Sequence, residues 1–528
     1  MQHTLVVMTA VTMAFVARPL LASDEHNSRA DVEALSRVTH RIHRAACSAG
    51  ADPLRAHCFA HVVTDTDGAV ATSSDPQGYG PSDLQSAYKL PSTGGKGKTV
   101  AVIDAFDVPN AESDLAKYRS TFGLPECTTA NGCFRKVNQS GGSDMPSVES
   151  TWASETTLDI DMVSAACPDC NILLVEADSD YIGDLWLALQ TSVSLGAVAA
   201  SNSYGFPEVS AVTWVEPYFN FPGVLVTASS GDSGYAVQYP ASSAHVLTVG
   251  GTTLTRSTSA RGWADAAWSS GGSGCSAFVS KPSWQTDTGC AKRMEVDVAA
   301  VADPNTGVSV YCSDCGSAHE GWQIMGGTSA GAPFVAAAFT ALEVAASPSF
   351  PSTHSADFFD VVQGDNGSCG VAKFCNAGVG YDGPTGWGVL NGSLLRQGST
   401  NAPSAPAADA GGNAAVDAGA RMVADAGRDP SGDASSGGQS SQRASDDSGA
   451  DSSDHESDAG RSAFIVMVDP PPASDGGATA EATTPSEDSS AIGCSMSGTH
   501  RQRPASEMVF GWFAALVALR RRRLVSRL

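Results

Sequence analysis

The sequence predicts an α/β fold in which helices cover both faces of a mainly parallel β-sheet. Short apolar runs recur along the chain, and each is long enough for one buried strand. Segments of helical character, such as residues 151–166 and 182–194, lie between these runs. Strands that alternate with helices are typical of a parallel sheet. The runs are TVAVIDAFD (99–107), NILLVEAD (171–178), GAVAASNSYG (196–205), GVLVTASSGDSG (223–234) and HVLTVGGT (245–252).

Polar residues follow several of these runs at the point where the predicted strand ends. Asp104, Ser203 and Asp232 all stand at such positions, close to glycine-rich loops. The carboxyl ends of parallel strands share one edge of a sheet, and active sites form there. We therefore expect the functional site at this edge.

Charge and composition exclude one class of partner. The 528 residues carry a net charge of −25, and phosphate binding needs a basic surface instead. Much of the charge lies in residues 401–490, where 16 Asp or Glu face 4 Arg in an Ala/Ser/Gly/Pro background. This composition is typical of a disordered linker. We predict no nucleic-acid partner.

The two ends of the chain have the character of export signals. Residues 1–22 contain an apolar run and then small residues, as in a secretory signal peptide, although a buried strand or helix is the alternative. Near the other end, Gly493–Cys494 precede an apolar stretch (508–519) and four arginines (520–523). This order resembles myxosortase-type sorting tails, in which the cysteine becomes the surface-anchored end. An ordinary amphipathic tail is the alternative.

Twelve of the 13 cysteines fall before residue 376 and come as close neighbours along the chain. Local pairs in an exported chain indicate disulfides, each adding at most about 3 kcal/mol for loops this short. A zinc site built from the CPDC and CSDC segments is the competing interpretation. The neighbouring cysteines are Cys47/Cys58, Cys127/Cys133, Cys167/Cys170, Cys275/Cys290, Cys312/Cys315 and Cys369/Cys375.

The segment GGTSAGAP (326–333) has the character of a nucleophile turn that opens a helix. Small residues surround Ser329, and Pro333 stands where the first turn of a helix tolerates proline. Small neighbours let a substrate backbone approach, and a helix N-terminus favours developing negative charge. A serine that merely caps a buried helix is the alternative.

A serine nucleophile needs a base, and two acids offer one. In SETTLDID (154–161), Glu155 and Asp159 are four residues apart and share one helical face. Two close carboxylates repel, which raises the pKa of one of them. Because ordinary carboxyl pKa values lie near about 4, a carboxylate base predicts an acidic optimum, around pH 3–6. A solvated acidic face is the alternative.

Asp232, in ASSGDSG, is a candidate for stabilising the oxyanion. A protonated aspartic acid donates a hydrogen bond when its surroundings keep it neutral, and acidic conditions favour that state. A simple turn residue would also fit the sequence at this position.

These residues together resemble the sedolisins, the serine-carboxyl peptidases with a subtilisin-like fold. The resemblance covers about residues 78–392 and implies that Glu155 is the general base, Asp159 orients it, Asp232 stabilises the oxyanion and Ser329 is the nucleophile. A subtilisin-type Ser-His-Asp enzyme is a rival interpretation. Of the histidines between the first predicted strand and Ser329, only His245 and His319 are available, and neither begins a suitable helix.

The resemblance also implies a structural calcium ion. FFDVVQGDNG (358–367) and NAGVGYDGPTGWG (376–388) are similar to the calcium loop of that family. The ligands would be the side chains of Asp360 and Asp382 with the carbonyl oxygens of Val361, Gly378 and Gly380. Calcium takes six or more oxygen ligands, including carbonyls and water.

The sequence thus predicts an exported endopeptidase that acts on proteins or peptides and is tethered to the cell surface. The catalytic domain would be monomeric, and only the tail would meet a membrane. A catalytically inactive surface binding protein with the same fold is a further alternative. The expected segments are a signal peptide (1–22), a short prosegment (23–80), a peptidase domain (81–395), a linker (396–490) and a tail (491–528).

Overall fold

The computed structural model describes residues 28–48, 52–315 and 321–401. The predicted signal peptide, almost all of the linker and the tail with Cys494 lie outside the described residues, as does His319. Among the residues that the structure does describe, no helix is long and apolar enough to cross a membrane.

The described residues form twenty strands and nine α-helices. The strands are β1 (His43–Ala45), β2 (His57–Cys58), β3 (His61–Val63), β4 (Thr72–Ser73), β5 (Thr99–Ala105), β6 (Phe134–Asn138), β7 (Asn171–Ala177), β8 (Ala199–Asn202), β9 (Tyr204–Pro207), β10 (Leu225–Ser229), β11 (Gln238–Tyr239), β12 (Leu247–Arg256), β13 (Trp263–Ala267), β14 (Cys275–Ser280), β15 (Lys292–Met294), β16 (Val298–Val301), β17 (Val308–Cys312), β18 (Gly321–Gly326), β19 (Phe358–Phe359) and β20 (Val389–Leu390). The helices are α1 (Arg29–Leu35), α2 (Pro81–Ala87), α3 (Ala111–Thr121), α4 (Ser150–Ala166), α5 (Ile182–Ser194), α6 (Val212–Val215), α7 (Gly331–Ala341), α8 (Phe350–Thr353) and α9 (Gly392–Asn401).

A ten-stranded, mainly parallel sheet forms the centre of the fold. Its parallel part runs in the order β6-β7-β5-β8-β10-β12-β16-β20, while β19 and β13 pair antiparallel with β20 and β12. The central strands are buried and rich in Val, Ile, Leu and Ala, as expected for strands covered by helices. This arrangement confirms the predicted fold class.

Two buried helices, α7 and α4, pack at the edge of the sheet where the site lies. Helix α7 packs against α4 and against β8 and β10, and every residue of α7 is buried. Helix α4 is buried from Trp152 to Ala166 although it carries three acids. Burying charged groups is costly unless they are paired or neutralised. The acids of α4 are therefore unlike those of a solvated helix face.

Residues before the predicted peptidase domain contribute strands to two smaller antiparallel sheets. Strands β3 and β4 pair with β18, and β1 pairs with β3. Strand β2 pairs with β9, which also pairs with β11. Part of the predicted prosegment is thus integrated into the same fold as the site.

The six predicted cysteine pairs are confirmed as disulfides. They are Cys47–Cys58, Cys127–Cys133, Cys167–Cys170, Cys275–Cys290, Cys312–Cys315 and Cys369–Cys375. The cysteines of CPDC and CSDC bridge within their own segments, so they are not free thiolates for zinc.

Candidate active site

Ser329 lies in a tight turn between β18 and α7, and its side chain is fully buried. The hydroxyl donates to the carbonyl oxygen of Ser203 over 3.2 Å. Gly327 precedes the turn with a φ of 92°, a conformation that favours glycine. A Cβ at Gly327 would overlap the carbonyl oxygen of Phe59, so another chain segment approaches the turn closely.

Glu155 and Asp159 lie one turn apart on α4, and both are fully buried. One oxygen of Glu155, Oε2, accepts a hydrogen bond from the backbone N–H of Ala60 over 2.9 Å. The other oxygen has no hydrogen-bond partner. The Ser329 hydroxyl is close enough to favour the ionised form of Glu155. A rotation of that hydroxyl proton away from the Ser203 carbonyl would direct it towards this carboxylate.

A third acid belongs to the same cluster. Asp104, at the end of β5, is fully buried, and burial raises its pKa to about 7 although the nearby Thr156 hydroxyl acts in the opposite direction. Burial, followed by the charge of Asp104, raises the pKa of Glu155 well above its usual range. The pKa of Asp159 is raised by burial and by the charges of Asp104 and Glu155. The three carboxyls therefore share protons, and the cluster holds few negative charges at one time.

Asp232 is hydrogen-bonded to the turn that holds Ser329. Its Oδ1 accepts from the N–H of Thr328 over 2.9 Å and from the Thr328 hydroxyl over 2.8 Å. Its Oδ2 makes no hydrogen bond of ordinary length and lies 3.4 Å from Nε2 of His61. Burial raises the pKa of Asp232 to about 7. A neutral carboxyl at this position has a proton to donate.

The structure brings Ser329 and Glu155 together and places Asp159 and Asp232 beside them. Of the two histidines of the rival interpretation, His319 lies outside the described residues, and His245 is partly exposed and lies near Glu216. A different histidine, His61, contacts Asp232, and burial lowers the pKa of this imidazole to about 4.

Five residues near the site were not among the predicted site residues. For Asp104 and Ser203, the position at the end of a predicted strand is the signal that the sequence offers. The other three belong to a segment far upstream, whose local sequence HCFAHVV carries no catalytic signal. The five are Phe59, Ala60, His61, Asp104 and Ser203.

The predicted calcium ligands come from two loops that meet near β20. The N–H of Gly380 donates to Asp360 Oδ2 over 2.8 Å, and the N–H of Gly378 donates to Asp382 Oδ2 over 2.9 Å. Burial raises the pKa of Asp382 to about 7, and the charge of Asp360 adds to this effect. Val361 is buried in the apolar core. Within the described ranges, no three or more Asp, Glu, His or Cys side chains cluster as a metal site.

Several known proteins are similar to this chain in sequence or in fold. Residues 135–356 match the subtilase family, and this region contains Glu155, Asp159, Asp232 and Ser329. The chain is 28% identical to kumamolisin from Bacillus sp. (strain MN-32) over 375 residues, which cover 62% of this chain and 65% of the relative. It is 27% identical to sedolisin from Pseudomonas sp. (strain 101) over 388 residues, which cover 64% of each.

The match therefore spans slightly less than two thirds of the length of these two relatives. A solved structure of Pseudomonas sedolisin, described as a serine-carboxyl proteinase complexed with two molecules of pseudo-iodotyrostatin, superposes with a TM-score of 0.54 at 27% identity. That match covers 62% of this chain and 100% of the other. In sequence and in fold, this chain is thus similar to subtilisin-like serine peptidases of the sedolisin kind.

Proposed function

We propose that this chain is a serine-type endopeptidase that works at acidic pH. Ser329 is the nucleophile, Glu155 its general base, Asp159 the residue that positions this base, and Asp232 the oxyanion donor. The observation that carries the proposal is a buried serine at the start of a helix beside several buried carboxyls. One of these, Glu155, lies close enough to Ser329 for the serine hydroxyl to favour its ionised form.

The reaction follows from the positions of these groups. Ser329 Oγ adds to the carbonyl carbon of the substrate while its proton passes to Glu155. The oxygen that becomes negative receives a hydrogen bond from neutral Asp232. When the C–N bond breaks, the proton on Glu155 passes to the leaving nitrogen. Water then hydrolyses the acyl-enzyme by the same route, which regenerates the serine hydroxyl.

The pH range of activity follows from the same groups. The acid cluster must lose one proton before Glu155 can act as a base, which sets the lower limit. Asp232 must keep its proton, and its pKa of about 7 sets the upper limit. A Ser-His-Asp enzyme would instead gain activity as its histidine loses a proton.

Calcium would stabilise the peptidase domain without taking part in the reaction. Asp360 and Asp382 would supply side-chain oxygens, and Val361, Gly378 and Gly380 would supply carbonyl oxygens. The donor chemistry fits, because two neighbouring carboxylates that repel each other are stabilised by a divalent cation between them.

The cellular setting is part of the proposal. Six disulfides are typical of exported proteins, since the cytosol keeps thiols reduced. We expect export through residues 1–22 and attachment to the cell surface through the tail (491–528), with proteins or peptides as substrates.

A casein digest at pH 4 tests the proposed function. The wild-type chain is expected to release peptides, and Ser329→Ala is expected to release none while keeping the wild-type circular dichroism spectrum. Casein left intact by the wild-type chain would favour an inactive surface binding protein. Turnover by the Ser329→Ala variant would exclude this nucleophile.

A further inference from the structure

A segment upstream of the catalytic domain passes through the active site in the manner of a bound peptide. Strand β2 pairs antiparallel with β9, with His57 opposite Gly205 and Cys58 opposite Tyr204. Strand β3 pairs antiparallel with β18, with His61 opposite Gly326. The two residues between these strands, Phe59 and Ala60, therefore bridge the gap between β9 and the strand that leads into Ser329. Added strands of this kind are a common mode of peptide binding.

The peptide bond between Phe59 and Ala60 lies among the reacting groups. The N–H of Phe59 donates to the Ser203 carbonyl over 3.3 Å, the same oxygen that accepts from the Ser329 hydroxyl. A Cβ at Gly327 would overlap both the Phe59 carbonyl oxygen and Asp232 Oδ2, so both oxygens lie close to Gly327. The carbonyl thus lies on the side of the proposed oxyanion donor.

The nitrogen of the same bond lies on the side of the proposed base. The N–H of Ala60 donates to Glu155 Oε2 over 2.9 Å. A general base that later protonates the leaving nitrogen has to be within hydrogen-bond distance of that nitrogen. The distance between Glu155 Oε2 and the Ala60 nitrogen is therefore short enough for this proton transfer.

The side chain of Phe59 fills a pocket with walls made by backbone. Phe59 is 3% exposed, and a Cβ at Gly205 would lie 2.9 Å from its ring. A Cβ at Gly231 would lie 3.5 Å from the ring, and the His57 ring packs edge-on with centroids 5.0 Å apart. The absence of side chains at Gly205 and Gly231 leaves space for a large apolar group. A charged group would lose its hydration there.

We propose that Phe59–Ala60 is the bond that this chain cleaves in itself, and that the pocket holding Phe59 selects a large apolar side chain before the cut bond in other substrates. The inference rests on the proposed function. Ser329 Oγ bonds to the Phe59 carbonyl carbon, and the C–N bond to Ala60 breaks. The serine proton passes through Glu155 to the Ala60 nitrogen, which becomes a new α-amine. Water then releases Phe59 as a carboxylate.

Uncut, the chain occupies its own cleft and excludes other substrates. After the cut, no disulfide in the described part of the chain links the residues up to Phe59 to the rest, because Cys47–Cys58 lies entirely before it. Only non-covalent contacts such as the β1–β3 and β2–β9 pairings then hold these residues, so they can dissociate from the cleft. Activity against casein should therefore rise as the uncut chain disappears.

The first test follows the N-terminus of the full chain at pH 4 by intact mass and N-terminal sequencing. We expect wild type to acquire Ala60 as its N-terminal residue and Ser329→Ala to keep the Phe59–Ala60 bond. A wild-type chain that digests casein with this bond intact would overturn the inference and leave the proposed function standing. A chain that cuts neither casein nor itself would overturn both.

The second test changes the side chain before the bond. Phe59→Asp should block cleavage here, whereas Ile42→Asp should be processed like wild type, since Ile42 is an exposed apolar residue of the same upstream region. Cleavage of Phe59→Asp at the wild-type rate would contradict the pocket assignment.

A peptide comparison does not depend on the folding of a variant. Processed wild-type enzyme receives the peptide of residues 55–64, with serine in place of its cysteine, and a second peptide with aspartate in place of the phenylalanine. We expect cleavage after phenylalanine and a rate about 100-fold or more lower for the aspartate peptide, because a charge is buried poorly in an apolar pocket. Equal rates would refute the assigned selectivity.

Discussion

Replacing Asp232 by asparagine tests the proposed role of a neutral carboxyl most directly. In wild type, Asp232 donates a hydrogen bond only while it is protonated, and burial raises its pKa to about 7. Asparagine has nearly the same shape, and its amide donates at every pH. Its oxygen can still accept the two hydrogen bonds from Thr328.

The expected effect is on the shape of the pH profile. Above pH 7, the fraction of wild-type enzyme with a protonated Asp232 falls about tenfold for each pH unit, and the rate should fall with it. Asp232→Asn should show no such fall between pH 6 and 8. Its maximal rate should be lower than that of wild type, but by less than the factor of about 100 or more that is lost when an oxyanion donor is removed entirely.

The assay is the initial rate of peptide cleavage at pH 4 to 9, with circular dichroism at each pH to count only folded protein. Asp161→Asn is the matched control, since Asp161 on α4 is, like Asp232, a buried acid, but it accepts from the N–H of Tyr311 instead. This control should keep the wild-type profile. An alkaline fall that is unchanged in Asp232→Asn would refute the assigned role.

Three other predictions concern the base, stability and calcium. Glu155→Gln keeps a side chain of the same size but accepts no proton, so kcat should fall about 1,000-fold with little change in KM, within the usual range for a general base; a wild-type kcat would rule out Glu155. The pKa of Asp104 and that of Asp232 are raised from 3.8 to about 7, so the folded state binds more protons than the unfolded one, and Tm should fall as pH rises from 4 to 7; a higher Tm at pH 7 would contradict this. Chelation of calcium should lower Tm in wild type but leave Tm of Asp382→Asn unchanged, and equal losses in both would argue against this loop.

Local sequence carried the information for much of the fold and the site. The spacing of Glu155 and Asp159 places them on one helical face wherever the helix lies, and the small residues around Ser329 define a turn before a helix. The burial of these two acids is not predictable from the local sequence, because the same spacing also fits a solvated acidic helix face. Only packing against α7 and the sheet removes these acids from water.

Contacts between distant segments account for what the sequence did not reveal. Strand β2 has two residues and β3 has three, too few for a recognisable pattern. Their partners β9 and β18 lie more than a hundred residues downstream. The position of Phe59 against Ser203 depends on both pairings at once, so no local property of HCFAHVV indicates it. Asp104 joins the acid cluster for a similar reason, because β5 packs against α4 although the two are distant in sequence.

The short reach of the disulfides affects how this protein would survive among proteases. The longest bridge joins residues 15 apart, Cys275 and Cys290, so each covalent loop is local. A nick inside a loop leaves the two pieces joined, but a nick elsewhere frees them. Resistance to proteolysis then depends on the packed interior, because buried helices such as α7 present no extended backbone that a foreign protease could bind.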